Sequence, residues 1–453
     1  MEKKENIREL AVEMVKEISA GKEYSHILIA NVLDKYSYLP EVDRAFLKKI
    51  TEGTIERQIT IDHILNQFSK VPVNKMKPFI RSLMRTSVYQ IIYLDKVPDS
   101  AVCNEAVKLA AKRGFGTLKG FVNGVLRNVS RGKDMITWPD KAKDAVSALS
   151  VLYSMPENIV QILIAQYGMD TAEKILQGYL VERPVCVRVS EQLSDNKKEA
   201  VLSNWEKKGV SAKMHPWLAY AYELERPGSL REDPYFAEGC YTVQDISSML
   251  ICEIAGIKKD DHIIDVCSAP GGKALHACDK LKGTGSVDAR DITERKTELI
   301  LENKERMKAG QLTVKVWDGR LKDMDAVGKA DVVLLDIPCS GLGVIGRKPD
   351  IRYRLNDAAF GELSVLQKEI VDTVWEYVKP GGILIYSTCT LRKEENEQMV
   401  NYLVEKYNFA LESLDPYLAA ELHNEDTKKG YLTLLPGENS DGFFMARLRS
   451  QNP

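Results

Sequence analysis

From about residue 236 onward, short β-branched runs alternate with helical stretches, and this alternation constrains the fold more than any other feature of the chain. The runs are HIIDV (262–266), GSVDARDI (285–292), LTVKVWDG (312–319), DVVLLDIP (331–338) and GGILIYST (381–388). Helical stretches separate most of them, which predicts a parallel sheet with helices on both faces. Two later runs, FALESL and GFFMARL, are expected to be closing strands.

The sequence before residue 236 divides into two further blocks. Residues 1–140 are predicted to form an all-helical bundle, because apolar residues recur there at helical spacing between Gly and Pro breaks. Residues 141–235 mix helical stretches with strand-like pieces such as VCVRVS, which indicates a small α+β domain. We therefore expect a multidomain chain, with the α/β domain at residues 236–453.

Charge is unevenly distributed along the 453 residues. The formal charge of the whole chain is −2, which argues against a strongly basic protein that coats nucleic acid. Residues 70–133, however, contain 13 Lys/Arg against 3 Asp/Glu, a net charge of +10. This segment is either a solvated charged helix face or a surface that contacts phosphates.

The cysteine pattern and the absence of long apolar runs indicate the compartment. The chain has eight cysteines and no CxxC pair, so we expect neither a disulfide scaffold nor a metal site. The N-terminus, MEKKENIREL, has no apolar stretch of signal-peptide length, and no run of 18 apolar residues occurs. The expected protein is therefore cytoplasmic, with free thiols and no membrane contact. Nothing in the sequence demands a dimer, and we expect a monomer.

A glycine-rich turn follows the first strand of the α/β domain. The stretch IIDVCSAPGGKALHACDKL is typical of a strand, a tight turn and a helix, which together present backbone N–H groups to a ligand. A P-loop requires GxxxxGK[ST], but Cys267 stands where the first Gly belongs and Ala274 follows the Lys. The GxGxxG of dinucleotide-binding folds is also absent. The third candidate is S-adenosyl-L-methionine, bound to a Rossmann-like methyltransferase sheet.

Acidic residues near the ends of the next two strands favour this third candidate. Asp291 ends the second strand, where an acidic residue holds the ribose hydroxyls of the cofactor in such sheets. Asp318 follows the third strand and is placed to meet the adenine side. Three strand ends that each carry the expected residue are a stronger signal than a glycine turn alone.

Two cysteines are predicted at adjacent strand ends. The fourth strand ends in DIPCSG, with Asp336 and Cys339, and the fifth ends in YSTCT, with Cys389. Strands four and five are neighbours in a doubly wound sheet, and ligands bind outside the carboxyl ends of the strands. We therefore expect two thiols and one carboxylate to face the cofactor crevice.

Methylation of carbon 5 of cytosine requires this set of groups. A thiolate adds to carbon 6 and makes carbon 5 nucleophilic, while a carboxylic acid hydrogen-bonds ring nitrogen 3. A base then removes the proton on carbon 5, so that the thiol can be eliminated. The positions of the two cysteines alone leave open which of them is the nucleophile.

At these residues the resemblance to a family becomes specific. The motifs DVCSAPGGK, DIPCSGLG and STCT resemble those of the RNA cytosine-5 methyltransferases, and GCYTVQDISSML, RKPDIR and PGENSDGFFMARL extend the match. The N-terminal block, with DRAF and FVNGVLRN, resembles the NusB-type RNA-binding helical domain. Along essentially its whole length the chain resembles bacterial 16S (small-subunit) ribosomal RNA cytosine-C5 methyltransferases that carry such a domain.

The resemblance implies roles for individual residues. It implies that Cys389 is the nucleophile, that Cys339 assists release, and that Asp336 is the acidic partner. It also implies an S-adenosyl-L-methionine site formed by Cys267, Ser268, Ala269, Pro270, Gly271, Gly272, Lys273, Asp291, Asp318 and Asp336. Ser268 departs from the Ala that is frequent at its position. The implied substrate is small-subunit ribosomal RNA, in which the target base must leave its stack.

Basic residues also follow Cys339 closely in the sequence. Arg347, Lys348, Arg352 and Arg354 either hold RNA phosphates near the site or lie in an ordinary exposed loop. The resemblance to an RNA-binding helical domain favours the phosphate-contacting interpretation of residues 70–133.

Two other functions compete with this interpretation. An RNA-binding antitermination-like factor with a vestigial catalytic fold would need only the helical domain, but it need not retain the cofactor loop and both cysteines. An exocyclic-amine methyltransferase uses [DNS]PP[YFW] after the fourth strand, whereas DIPC has one Pro and a Cys.

Overall fold

The computed structural model describes residues 5–452, and the chain forms two compact units. The first, here the helical unit, comprises Met1–Leu180 and Ile345–Asn356, and the second, here the sheet unit, comprises Val181–Val344 and Asp357–Pro453. The limit of the helical unit therefore lies beyond the expected boundary at residue 140. The reason is local packing, because the helix after that boundary meets the bundle where Thr60 Oγ1 donates to the carbonyl oxygen of Val151.

The described part of the helical unit forms ten α-helices, and the first seven of them share one apolar core. They are α1 (Ile7–Ser19), α2 (Ser25–Lys35), α3 (Glu41–Glu56), α4 (Gln58–Phe68), α5 (Pro78–Tyr93), α6 (Asp99–Lys112), α7 (Lys119–Arg131), α8 (Ala145–Tyr153), α9 (Glu157–Tyr167) and α10 (Met169–Gly178). The predicted helical bundle is confirmed. Helices α3 and α4 follow each other without a loop, and they are two helices because Arg57 leaves helical geometry at φ −97° and ψ 16°.

Helix α5 lies at the centre of this bundle, and most of its residues are buried. Leu83, Met84 and Val88 are at most 1% exposed and pack into the common core. Arg85 is also buried, because its guanidinium forms a two-point pair with the carboxylate of Asp62 and donates to Gln58. A polar side chain inside this core is therefore tolerated because it is fully paired.

The segment Ile345–Asn356 also belongs to the helical unit, although it follows the DIPCSG motif in the sequence. Asp350 is buried and accepts hydrogen bonds from the backbone N–H (3.1 Å) and the hydroxyl (2.5 Å) of Ser25. Arg352 is fully buried and donates to the carbonyl oxygens of Ser154 and Glu56, at 2.8 and 3.3 Å. Side chains of the RKPDIR motif thus anchor this segment to the helices.

The sheet unit begins with a small antiparallel sheet in the order β2-β3-β1-β4. Its elements are β1 (Val185–Val189), α11 (Asp195–Lys207), β2 (Ser211–Met214), β3 (Ala221–Glu225), α12 (Pro234–Ala237) and β4 (Tyr241–Val243). Trp205 packs edge-on against the ring of Tyr241 in the core of this sheet. The predicted small α+β fold is present, and its last strand lies beyond the expected boundary at residue 235.

The remaining elements build an eight-stranded sheet with helices. They are α13 (Ile246–Ala255), β5 (His262–Asp265), α14 (Gly272–Leu281), β6 (Ser286–Asp291), α15 (Glu294–Met307), β7 (Leu312–Val316), β8 (Ala330–Asp336), α16 (Asp357–Val374), β9 (Val378–Thr388), α17 (Glu397–Tyr407), β10 (Phe409–Leu411), α18 (Glu425–Lys429), β11 (Tyr431–Leu434) and β12 (Phe443–Ser450). The five predicted strands correspond to β5, β6, β7, β8 and β9.

The sheet is mixed, whereas the sequence predicted a parallel one. Strands β7, β6, β5, β8 and β9 lie side by side in parallel, and β12 joins β9 in antiparallel orientation. Strands β10 and β11 both pair with β12. The difference arises because the closing strand β12 runs opposite to β9 at the edge of the parallel strands.

The strand order reverses between β5 and β8, since β6 and β7 extend the sheet on one side and β8 and β9 on the other. Ligands of open α/β sheets bind beside such a switch point, outside the carboxyl ends of the strands. The turn after β5 and the ends of β6, β8 and β9 carry the predicted site residues. The topology therefore brings them to one edge of the sheet.

Among residues 5–452, no single helix is long and apolar enough to cross a membrane. Helices α8 and α9 reach that length and composition only when taken together, across a bend of 115°.

Candidate active site

The loop between β5 and α14 contains a glycine with a positive φ, and it is hydrogen-bonded to the neighbouring strand β6. Gly271 has a φ of +99°, and a Cβ there would lie 3.2 Å from Cγ2 of Ile300, so a side chain is disfavoured. The backbone N–H of Ser268 donates to the carbonyl oxygen of Arg290 at 2.9 Å. Helix α14 begins directly afterwards at Gly272, so its free N–H groups face the loop.

Asp291 lies at the carboxyl end of β6, as predicted, and is 4% exposed. One oxygen accepts the backbone N–H of Ala269 at 3.0 Å, which joins this carboxylate to the glycine-rich loop. The other accepts from Lys296 Nζ at 2.9 Å. Asp291 and the loop therefore form one continuous polar edge.

Asp318 lies two residues after the end of β7. Its carboxylate accepts three side-chain hydrogen bonds from Arg320, including one of 2.6 Å from Nη2. These bonds hold the pKa of Asp318 below its usual value. Asp318 therefore lies near a strand end, as predicted, and its carboxylate is already paired with Arg320.

Asp265, the last residue of β5, is a site residue that sequence reasoning missed. It is 1% exposed, and neither carboxylate oxygen has a hydrogen-bond partner among the described residues. Burial raises its pKa to about 7. An unpaired buried carboxyl at the base of a ligand loop is unusual unless a ligand completes it.

These groups fit the predicted cofactor. S-adenosyl-L-methionine carries an ammonium group, a carboxylate and ribose hydroxyls. The unpaired carboxyl of Asp265 suits a cationic or N–H group, the N–H groups at the start of α14 suit a carboxylate, and Asp291 suits hydroxyls.

Lys273 and Ser387 both contact the carboxylate of Asp336. Lys273 Nζ lies 2.5 Å from Oδ2, and the Ser387 hydroxyl donates to Oδ1 at 2.9 Å. Burial alone would lower the pKa of Lys273, but the carboxylates of Asp336 and Asp265 outweigh it, so the pKa is raised. Lys273 is therefore an ammonium at neutral pH. The sequence analysis did not predict a role for Ser387. The signal that could have found it is its position opposite Asp336 in the pairing of β8 and β9.

The two predicted cysteines lie together. Cys339 follows β8, Cys389 follows β9, and their Sγ atoms are 3.2 Å apart. The sulfur–sulfur hydrogen bond with Cys389, followed by burial, raises the pKa of Cys339 well above its ordinary value. Cys339 is thus a thiol at neutral pH, in direct contact with the second sulfur.

The loops that carry these cysteines are joined to each other. The hydroxyls of Ser340 and Thr390 are 2.6 Å apart, and the backbone N–H of Gly343 donates to the carbonyl oxygen of Cys389 at 2.9 Å. A Cβ on Gly343 would lie 1.9 Å from the carbonyl oxygen of Gly442, so only glycine allows this approach. The separation of the two sulfurs is therefore fixed by backbone contacts as well as by the strands.

The predicted RNA-contacting residues lie in the helical unit, and the structure separates them into two groups. Arg347 is exposed and Lys348 is half-buried. Arg352 is fully buried against main-chain carbonyl oxygens, which contradicts the expectation that its guanidinium contacts phosphate. Arg354 likewise donates to the carbonyl oxygen of Glu23.

Within residues 5–452, one cluster has side chains of metal-ligand type, namely Glu191, Glu253 and His276. Lys280 Nζ lies 2.7 Å from the carboxylate of Glu191 and 2.5 Å from that of Glu253. The ammonium group therefore already pairs with both carboxylates, and the cluster is an ion-pair network.

Comparison with known proteins supports the same interpretation. The family described as 16S rRNA methyltransferase RsmB/F matches residues 254–449, and the NusB family matches residues 5–131. The Bacillus subtilis protein named "Probable ribosomal RNA small subunit methyltransferase B" is 31% identical, with 99% of this chain and 100% of that protein covered. The ribosomal RNA small subunit methyltransferase B of Salmonella paratyphi A is 31% identical, with 99% of each chain covered.

Solved structures share the fold. The crystal structure of PH0851 has a TM-score of 0.80 at 22% identity and covers 99% of this chain and 100% of that one. The structure of NSun6 from Pyrococcus horikoshii with SFG has a TM-score of 0.57 at 21% identity and covers 67% of this chain and 100% of that one.

The full-length relatives and the two matched families confirm the resemblance that the motifs indicated. Together with a cofactor loop, a carboxylate and two thiols at one sheet edge, they identify an enzyme. The chain belongs to the ribosomal RNA small subunit methyltransferase B family, a family of S-adenosyl-L-methionine-dependent methyltransferases with an N-terminal NusB domain.

Proposed function

We propose that the protein methylates carbon 5 of a specific cytosine in 16S ribosomal RNA through a covalent bond between Cys389 and carbon 6 of the base. The observation that carries the proposal is the 3.2 Å contact between Cys339 and Cys389, beside the Asp336 carboxylate. S-adenosyl-L-methionine, when bound, supplies an electrophilic methyl group on its sulfonium. Every other step uses side chains of this chain.

Cys389 is the nucleophile in this proposal, and Cys339 prepares it. In this proposal Cys339 is the donor of the sulfur–sulfur hydrogen bond, in keeping with its raised pKa. Its S–H then donates to the sulfur of Cys389, which favours the thiolate form of Cys389. That thiolate adds to carbon 6 of the cytosine.

Asp336 and Lys273 stabilise the base as it gains electron density. Formation of the adduct places negative charge on ring nitrogen 3. The ammonium group of Lys273 carries a proton, and its Nζ atom lies 2.5 Å from Oδ2 of Asp336. We expect Asp336 to contact nitrogen 3 and to pass this proton to it, while Ser387 fixes the second carboxylate oxygen. Carbon 5 then attacks the methyl group.

Release requires Cys339 to become a base. The hydrogen bond with the sulfur of Cys389 is the largest cause of its raised pKa. Once Cys389 forms its bond to carbon 6, it no longer holds a negative charge, so the pKa of Cys339 falls. After methyl transfer, nitrogen 3 returns its proton to the Lys273–Asp336 pair, and Cys339 releases its own proton to solvent. The Cys339 thiolate then removes the proton from carbon 5, the electron pair of that C–H bond forms the double bond between carbons 5 and 6, and Cys389 leaves as a thiolate.

The RNA chain itself would bind through basic residues of the helical unit. Most basic side chains between residues 70 and 133 are exposed, among them Lys75, Lys119 and Arg131, and Arg347 is exposed as well. Such residues contact phosphates without reading sequence. The target cytosine would be unstacked from a single-stranded or loop region, which costs least.

Bisulfite sequencing of 16S ribosomal RNA tests the proposal. We expect one cytosine to resist conversion in cells that contain the protein, and to be converted when the gene is deleted or replaced by the Cys389→Ala variant. The proposal is wrong if no cytosine changes, or if mass spectrometry finds the lost methyl group on another atom.

A further inference from the structure

Glu395 is a fully buried carboxylate that the mechanism does not use. It lies in the turn between β9 and α17, six residues after Cys389, and is 0% exposed. Burial of a carboxylate is unfavourable unless hydrogen bonds compensate. Its Oε2 atom accepts from the backbone N–H of Ser340 and from Gln367 Nε2, each at 2.9 Å. The carboxylate is therefore directed at the peptide bond that follows Cys339.

Gln367 of α16 completes the same clamp. Its Nε2 atom also donates to the carbonyl oxygen of Pro338 at 2.9 Å. The backbone groups on the two sides of Cys339, the Pro338 carbonyl and the Ser340 N–H, are thus held by one pair of side chains. Cys339 is fixed by Glu395 and Gln367 together.

The neighbouring residue, Asn396, holds the loop of the other cysteine. The Thr388 hydroxyl donates to Asn396 Oδ1 at 2.6 Å, and Asn396 Nδ2 donates to the carbonyl oxygen of Thr390 at 3.1 Å. Thr388 and Thr390 flank Cys389 in the sequence. Two consecutive residues therefore support different cysteines.

We propose that Glu395 is a positioning residue for Cys339, and that it controls the release of methylated RNA without controlling the attack by Cys389. This inference rests on the covalent mechanism proposed above. If Glu395 is lost, Asn396 still holds Cys389, so the covalent adduct forms and the methyl group is transferred. Cys339 is then misplaced for removal of the carbon-5 proton, and the adduct persists.

The first test compares Glu395→Ala, Glu395→Gln and Asn396→Ala on 16S ribosomal RNA transcribed in vitro, with S-adenosyl-L-methionine present. Glu395→Ala should slow multiple turnover about tenfold and increase the protein–RNA adduct on denaturing gels about fivefold. Glu395→Gln keeps the oxygen that accepts from Ser340 and Gln367 and loses only the 3.5 Å contact of the other oxygen with Arg392 Nη1, so it should stay within about twofold of the wild type. Asn396→Ala should lower the rate at which the adduct forms, whereas Glu395→Ala should increase the amount of adduct.

A second measurement needs no RNA. Diamide converts two thiols into a disulfide, taking up two protons and two electrons as its N=N bond is reduced to a hydrazine. Since Cys339 and Cys389 touch in the wild type, their rate of oxidation reports how well the two sulfurs are aligned. Glu395→Ala should slow formation of the Cys339–Cys389 peptide about fivefold, and Glu395→Gln should not.

The outcomes separate the inference from the proposed function. Normal turnover and normal oxidation in Glu395→Ala overturn the positioning role, as does a loss of adduct formation like that of Asn396→Ala. If the wild type neither methylates the RNA nor forms an adduct, the proposed function is wrong, and the oxidation rates still test the clamp. Gln367→Leu removes the same support without deleting a buried charge, and it replaces Glu395→Ala should that variant not fold.

Discussion

The Sγ atoms of Cys339 and Cys389 lie 3.2 Å apart, although 50 residues separate them in the sequence. Their contact follows from the parallel pairing of β8 and β9, in which Asp336 stands opposite Ser387. Each cysteine comes a few residues after this pair, beyond the carboxyl end of its strand. Two-thiol chemistry is therefore a consequence of the strand order together with the backbone contacts that join the two loops.

Replacing Asp336 with asparagine should stop the stabilisation of ring nitrogen 3. The side-chain amide of the Asp336→Asn variant could still hydrogen-bond to Ser387, but it would not form the ion pair with Lys273 that holds the mobile proton. We expect single-turnover methyl transfer to fall by about 100-fold, the lower range for loss of a general acid. A rate within threefold of the wild type at about pH 7.5 would contradict the role given to Asp336.

The stability of the cofactor-free protein should depend on pH through Asp265. Burial raises the pKa of this carboxyl from 3.8 to about 7, so the folded protein keeps a proton that the unfolded chain has released. The contribution of Asp265 to stability is therefore greatest at low pH and falls as the pH rises from about 4 to about 7.

Asp265→Asn removes this dependence. The free energy of unfolding of the variant, relative to the wild type, should increase by about 3 kcal/mol between about pH 5 and about pH 8. Urea denaturation at the two pH values measures the difference. If the difference does not change with pH, the carboxyl of Asp265 is not the buried, unpaired group described here.

Arg352 should contribute to the stability of the helical unit, because its buried guanidinium donates to the carbonyl oxygens of Ser154 and Glu56. Arg352→Ala leaves these groups unsatisfied and should cost about 3 kcal/mol of unfolding free energy. The exposed Arg131 of the same unit is the control, and its Ala variant should change stability by less than about 0.5 kcal/mol. An equal loss of unfolding free energy in both variants, or no loss in either, would show that Arg352 does not anchor this segment.

Binding of RNA by the helical unit should be sensitive to salt. The triple Ala variant of Lys75, Lys119 and Arg131 removes three exposed charges. The slope of log affinity against log salt should become shallower by roughly 2 in fluorescence anisotropy with 16S ribosomal RNA fragments. Ala substitution of the exposed Lys207 and Lys259 in the sheet unit serves as the control. An unchanged slope in the triple variant would place the phosphate contacts elsewhere.

Sequence patterns predicted the parts of the fold that depend on local periodicity. The alternation of strands and helices located β5 to β9, and the rule that parallel strands end at one edge brought Asp336, Cys339 and Cys389 together. The mixed character of the sheet was not predicted, because the runs do not show which way β12 enters beside β9.

The roles that the sequence did not predict arise from long-range contacts. Glu395 has no motif that distinguishes it from an exposed glutamate, and its role arises from a hydrogen bond to Ser340, 55 residues away. Arg352 stands among basic neighbours that suggest a phosphate site, yet its partner Ser154 lies 198 residues away. Asp265 was missed for a different reason, because only three-dimensional burial leaves its carboxyl without a partner.

The most direct test of the account is the amount of covalent protein–RNA adduct formed by two single variants. Incubated with 16S ribosomal RNA and S-adenosyl-L-methionine and resolved on denaturing gels, Cys339→Ala should accumulate the adduct, whereas Cys389→Ala should form none and transfer no methyl group. Adduct in Cys389→Ala, together with normal turnover in Cys339→Ala, would contradict the account by reversing the roles of the two cysteines.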